Sequence, residues 1–310
     1  MPVTEVWSRL HGLFPATPTP FQADGSLATE ALARNFLIWN RQPLAGYVLL
    51  GSNGEAILLT AEERVRLVAA ARASVPRDRL LVAGAGMEST GETIALACRL
   101  AEAGAEAVIV VTPHYYKGRM TPAALERYYE QVADASPVPV ILYSVPANTG
   151  IDLPIETVVR LAQHANILGI KDSGGDVVKI GRMVQAVPSG FAVLAGSAGF
   201  LLAAMSVGAV GGITALANLA AGPLSRLIAA FESGDHRTAR EIQAALLEPN
   251  LAVTSRYGVP GLKTALDLTG MYGGPVRPPL LPLTADEKSS LVGILQRGGL
   301  LLDGAAAQAN

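Results

Sequence analysis

The sequence predicts a (β/α)8 barrel, the TIM-barrel architecture, followed by additional C-terminal helices. Three observations carry that expectation. Eight short apolar runs recur along the 310 residues, most of them about 30 residues apart, as strand–helix–strand units require. Segments with helical character lie between them. The runs are also continuously apolar rather than alternating, which is how parallel strands covered on both faces read.

In chain order the strand candidates are 12–16, 46–50, 80–83, 107–111, 140–143, 167–170, 192–195 and 211–213. Between them, Thr60-Ala61-Glu62-Glu63 reads as a capping box, short of ideal geometry, opening a helix that runs to Ser74. Thr121-Pro122 puts proline in a first helical turn. Segments 89–103 and 153–164 carry apolar residues at helical spacing. Beyond Asn218 no further strand is expected: 219–233, 236–253, 259–269 and 284–296 read as helices, with a proline-rich joint at 275–282. The barrel core is therefore assigned to 1–217, and the last barrel helix with a helical extension to 218–310, without a linker long enough to free a domain. A doubly wound sheet is the competing arrangement. Against it, Gly84-Ala85-Gly86 is followed by Ser89 where a dinucleotide fingerprint needs its third glycine.

Charged residues make up only 16% of the chain and hydrophobic residues 50%, against a usual charged share of about 25%. So little charge points to surface buried between subunits. A net charge of −2 without a basic tract argues against a nucleic-acid partner. The single cysteine, Cys98, excludes an internal disulfide framework and suits a reducing cytoplasm; it reads as a small core residue. His11, His114, His164 and His236 lack metal-ligand spacing. The first residues show neither a secretory nor a mitochondrial leader pattern, so a cytoplasmic location is expected. Residues 191–209 are apolar enough to resemble a membrane span, but Gly196, Gly199 and Gly208 divide them. They read instead as strand, short helix and the approach to a strand.

The candidate chemistry sits where the strands end, since a barrel gathers those ends at one mouth. Lys171 closes the run 167–170 and leads into Asp172-Ser173-Gly174-Gly175. A lysine partly withdrawn from water there can attack a ketone as a neutral amine and form a Schiff base; the plain alternative is an exposed lysine at a strand end. Gly51-Ser52-Asn53-Gly54-Glu55 follows the second run, and is either an anion-binding nest or simply a tight turn. Tyr143, at the end of the fifth, is a proton shuttle or an amphipathic edge of the core. Tyr115 and Tyr116 follow the fourth run, where paired tyrosines mark an interface more often than catalysis. Gly196-Ser197-Ala198-Gly199 lets bare backbone approach a substrate closely.

Gly51-x-x-Gly54-Glu55, Tyr143-x-x-Pro146 and Gly169-Ile170-Lys171-Asp172 together resemble the pyruvate-dependent class I aldolase family that includes dihydrodipicolinate synthase and N-acetylneuraminate lyase. The resemblance runs from about Leu13 into the C-terminal helices. It implies that Lys171 forms the Schiff base, that Tyr143 moves protons with Ser52 as relay, and that Tyr115 enters a neighbouring subunit's site. It also implies a homotetramer built from two tight dimers, with a small 2-oxo acid as substrate and no metal or organic cofactor. Ser52-Asn53 replaces the Thr-Thr of the synthase, and Asn148 stands where the synthase has an arginine; an amide cannot reproduce a guanidinium fork. Longer stretches, including 115–120, 143–150, 171–176, 194–200 and 248–250, are similar to the 4-hydroxy-2-oxoglutarate aldolase branch. In that branch Ser52, Asn53, Ser173 and Gly196 correspond to substrate-contacting positions. Three other readings are open: a sister 2-oxo acid lyase or decarboxylase, a non-catalytic 2-oxo acid sensor, and a phosphosugar barrel enzyme.

Overall fold

A computed structural model of the chain describes residues 3–302. Its strands are β1 (Gly12–Pro15), β2 (Gly46–Leu49), β3 (Leu80–Gly84), β4 (Ala107–Val111), β5 (Val140–Ser144), β6 (Ile167–Asp172), β7 (Ala192–Ala195) and β8 (Gly211–Thr214). All are parallel, in the order β1-β8-β7-β6-β5-β4-β3-β2. Between β1 and β2 the sheet closes through a parallel bridge from Ala16 to Val48. The N–H of Thr17 donates to the Val48 carbonyl at 2.9 Å, and that of Ala45 to the Leu13 carbonyl at 3.0 Å. The barrel is the one expected.

Alternation within each strand separates two cores. Phe14, Val48, Val82, Ile109, Ile141, Leu194 and Ile213 pack together inside the barrel. Their neighbours Leu13, Leu49, Leu81, Val110, Leu142, Val193 and Ile170 join the larger core under the helices. Val6 and Leu10, both fully buried, belong to the inner core and seal the N-terminal end of the barrel. The short helix Val3–Ser8 that carries Val6 was not expected, since six residues are too few to show a periodic face.

Thr60 completes a reciprocal capping box with Glu63 at the start of Ala61–Ser74. The apolar stretch 191–209 resolves into β7, a 3-10 turn (Ala198–Phe200) and a short helix (Leu201–Ser206). Among the described residues no helix is long and apolar enough to cross a membrane. Near the C-terminus, helices His236–Leu251 and Gly258–Leu268 are joined by a π-turn, Ala252–Arg256, where the sequence suggested one helix ending and another beginning. Ala285–Arg297 follows, with a second full capping box at Thr284 and Glu287.

Candidate active site

The register places the central pair side by side. Tyr143 on β5 is the cross-strand partner of Lys171 on β6, and both point inward where the strands end. The two are almost completely buried, with 6% and 4% of their surfaces exposed. The Lys171 Nζ lies 4.3 Å from the centre of the Tyr143 ring. Among the described residues the buried lysines are Lys171, Lys179 and Lys263. Lys179 is paired with Asp152 and, at 2.9 Å, with Asp172. Lys263 is paired with Glu55 at 2.5 Å. Lys171 has no carboxylate partner among them; it faces a phenol.

Tyr143 is ringed by donors. Its hydroxyl lies 3.3 Å from the Ser52 Oγ, with Lys171 over the ring and Ser173 close enough to act on it. Burial pushes the phenol up, but the Lys171 charge and the three hydrogen-bonding side chains outweigh burial and hold it below its ordinary value. The Ser52 Oγ in turn accepts a hydrogen bond from the Asn148 side-chain amide at 3.2 Å. Asn148 stands on the single helical turn Pro146–Thr149, which begins where β5 ends.

Ser52 reaches this cluster because the chain turns sharply after β2. The strand stops at Leu49 because Leu50 is left-handed, with φ 59°, and Glu55 on the far side is left-handed too, with φ 52°. Outside glycine such conformations cost of order 1–3 kcal/mol each and persist where the surroundings over-determine them. Here they do. A Cβ on Gly84 would lie 1.9 Å from the Leu50 carbonyl oxygen, so a bare backbone at 84 makes room for that turn. The buried Glu55 binds Lys263 through one carboxylate oxygen and accepts the Arg277 backbone N–H at 2.8 Å through the other. Between the two strained residues, the 3-10 turn Ser52–Gly54 leaves the N–H groups of Ser52 and Asn53 without an acceptor among the described residues, whereas Gly54 and Glu55 donate to Gly51 and Ser52.

Gly196 closes the opposite side. Its N–H donates to the Asp172 carbonyl at 2.7 Å, and a Cβ there would meet the Ser173 Oγ at 1.9 Å. Glycine is needed at 196 for β7 to approach Ser173. Of the residues singled out in the sequence, Lys171, Tyr143, Ser52 and Ser173 therefore converge, Gly196 abuts Ser173, and Asn53 lies half-buried beside Ser52. Tyr115 does not join them within one chain. It is 77% exposed, stacked edge-on against Tyr116, and its loop is fixed by Glu88, which accepts the N–H groups of His114 and Tyr115, each at 2.9 Å. Sequence reasoning passed over Asn148 as a contact, and also Lys263 and Lys179. Only the short interval from Tyr143 to Asn148 offered a signal. No group of His, Cys, Asp or Glu among the described residues is arranged to hold a metal ion.

A parallel eight-stranded barrel with a buried, unpaired lysine beside a tyrosine at its mouth is the architecture of a Schiff-base lyase. A profile described as the Dihydrodipicolinate synthetase family matches residues 9–297, and the chain belongs to that family of carbon–carbon lyases. It is 38% identical over 292 residues to an uncharacterized DapA-like lyase of Halobacterium salinarum, covering 94% of this chain and 95% of that protein. It is 34% identical over 293 residues to the 4-hydroxy-tetrahydrodipicolinate synthase of Methanosarcina acetivorans, covering 94% and 99%. Among solved structures it resembles YagE, a prophage protein of the dihydrodipicolinic acid synthase family from E. coli K12 in complex with pyruvate. The TM-score there is 0.88 at 33% identity, over 94% of this chain and 99% of that one. These names establish the family without singling out the 4-hydroxy-2-oxoglutarate branch expected from the sequence.

Proposed function

We propose that the protein cleaves 4-hydroxy-2-oxoglutarate to pyruvate and glyoxylate through an imine on Lys171. The observation that carries this reading is the contrast among buried lysines: Lys171 alone lacks a carboxylate and instead faces Tyr143. The Lys171 Nζ attacks the ketone carbon, and loss of water gives a protonated imine. Tyr143, held as a proton acceptor, takes the 4-hydroxyl proton. The bond between carbons 3 and 4 breaks, its electrons enter the imine to form an enamine, and glyoxylate leaves. Tyr143 returns the proton to carbon 3, and water releases pyruvate from the lysine. The unspent N–H groups of Ser52 and Asn53 suit the carboxylate next to the imine and would orient it for cleavage. Ser173 and Asn53 are placed for the distal carboxylate, with Gly196 keeping that side open.

A synthase reading shares the imine and differs in its second substrate; the names of the relatives favour it. The amide of Asn148 beside Ser52, in place of a fixed cation, favours the cleavage reading. Borohydride reduction in the presence of pyruvate should fix one pyruvate-derived adduct on Lys171, and Lys171→Ala should abolish it. An adduct on Lys117, Lys179 or Lys263 would overturn the mechanism. A panel of 4-hydroxy-2-oxoglutarate, oxaloacetate, sugar-derived 2-oxo acids, and pyruvate with aspartate semialdehyde separates the substrates. Faster turnover of any of the others than of 4-hydroxy-2-oxoglutarate would sink that assignment.

The same reading makes the protein a cytoplasmic homotetramer of paired dimers, in which the exposed Tyr115 enters the adjacent subunit's site. Mixing inactive Tyr115→Phe and Lys171→Ala subunits should then restore activity, because a mixed dimer contains one site with both residues intact. No recovery after demonstrated subunit exchange would place Tyr115 outside the neighbour's site.

A further inference from the structure

We propose that Asn148 is a positioning residue that fixes the direction of the Ser52–Tyr143 hydrogen bond, making Tyr143 the acceptor. The inference rests on the Schiff-base reading for its catalytic meaning but not for its geometry. A serine hydroxyl has one proton and two lone pairs, and an amide nitrogen only donates. The Asn148 Nδ2 lies 3.2 Å from the Ser52 Oγ, so that contact occupies a lone pair of the hydroxyl and leaves its proton unspent. The other polar side-chain atom within bonding distance of the Ser52 Oγ is the Tyr143 hydroxyl, at 3.3 Å. A hydroxyl that accepts one hydrogen bond gives its own proton more strongly, so the serine proton is assigned to the tyrosine oxygen.

Among the described residues the charged group beside that oxygen is Lys171, with Ser52 and Ser173 as polar neighbours. The Lys171 ammonium only donates, and the bond that Ser52 accepts from Asn148 strengthens the serine as a donor. The phenol oxygen thus collects donors, which favours its ionised form and its role as base. Asn148 itself is exposed and does not touch Tyr143 in this way; it acts through Ser52. Glu55 and Lys263, the other charged groups close to the turn, are bonded to each other.

Two substitutions test the assignment, and the first is Asn148→Asp. It preserves size and shape, but a carboxylate only accepts. Ser52 would then give its proton to the introduced carboxylate, and Tyr143 would lose a donor and gain a nearby negative charge. Asn148→Ala removes the donor without reversing it. Titration of Tyr143 is read directly by NMR with tyrosine labelled at the oxygen-bearing ring carbon, the signal being assigned among the 8 tyrosines by its loss in Tyr143→Phe. Removing one such hydrogen bond should raise the midpoint by about half a unit to one unit. Asn148→Asp should raise it further, and the acid limb of kcat/KM should move with it. A packing role leaves the midpoint in Asn148→Ala where it was, whereas the charge of an introduced aspartate raises it in either case. An unchanged or lowered midpoint in Asn148→Ala overturns the proposal, whatever the trapping experiment shows. Failure of wild-type protein to trap pyruvate while the midpoints move as expected overturns the Schiff-base reading and leaves the hydrogen-bond assignment standing.

Discussion

Lys171 and Lys263 share burial and an aromatic neighbour. Each is buried, with 4% and 1% of its surface exposed, and each ammonium lies 4.3 Å from the centre of an aromatic ring, Tyr143 in one case and Phe21 in the other. Lys263 additionally holds Glu55 at 2.5 Å and donates to the Pro275 carbonyl at 2.8 Å. Burial beside an aromatic ring is thus shared by a structural lysine and a candidate nucleophile. What separates them is the carboxylate. A carboxylate partner favours the protonated lysine, and Lys171 has none among the described residues. Lys179, bound by two aspartates, falls on the structural side.

The comparison can be broken first at the phenol. If Tyr143 is the working partner of Lys171, Tyr143→Phe should lower kcat by about 100- to 10,000-fold with a smaller change in KM. A fall of under about fivefold would reduce Tyr143 to the packing role that Phe21 has beside Lys263. A second test addresses the carboxylate. Lys263→Met strands a buried Glu55 and should cost about 3–5 kcal/mol in urea unfolding, with much of the loss recovered by adding Glu55→Gln. Single and double variants that unfold alike would deny the pair its structural role. The smallest expected effect sharpens the contrast. Lys171→Met should move the Tyr143 titration upward toward the ordinary phenol range, because the Lys171 charge helps to hold it down. Lys263→Met should leave it in place. A Tyr143 titration indifferent to Lys171 would mean that the two are neighbours without electrostatic coupling.

The strands were legible because burial on both faces writes itself as unbroken apolar runs, and all eight lie where the sequence placed them to within a few residues. Lys171, Tyr143 and Ser52 were legible as strand-end residues, since closing the barrel brings such ends together whatever their separation in sequence. Other features left no local trace. The left-handed Leu50 looks like one more aliphatic residue of β2, because its conformation is imposed by Gly84 on the neighbouring strand. The partner of Glu55 lies far along the chain on a helix whose own sequence gives no reason to bury a lysine. Asn148 reads as part of a turn, and only the folded loop shows its amide against Ser52.

The union of Glu55 with Lys263 and the Arg277 backbone also has a temporal meaning. Ser52 and Asn53 leave the ribosome well before Lys263 and Arg277, the residues that bind the neighbouring glutamate. Until then the turn has its strained backbone but not the bonds that hold it. A nascent chain that has already made all eight strands still lacks a finished mouth, and so does a protein cut short by a premature stop before Lys263. The turn that carries Ser52 therefore waits on synthesis of the segment that carries Lys263 and Arg277.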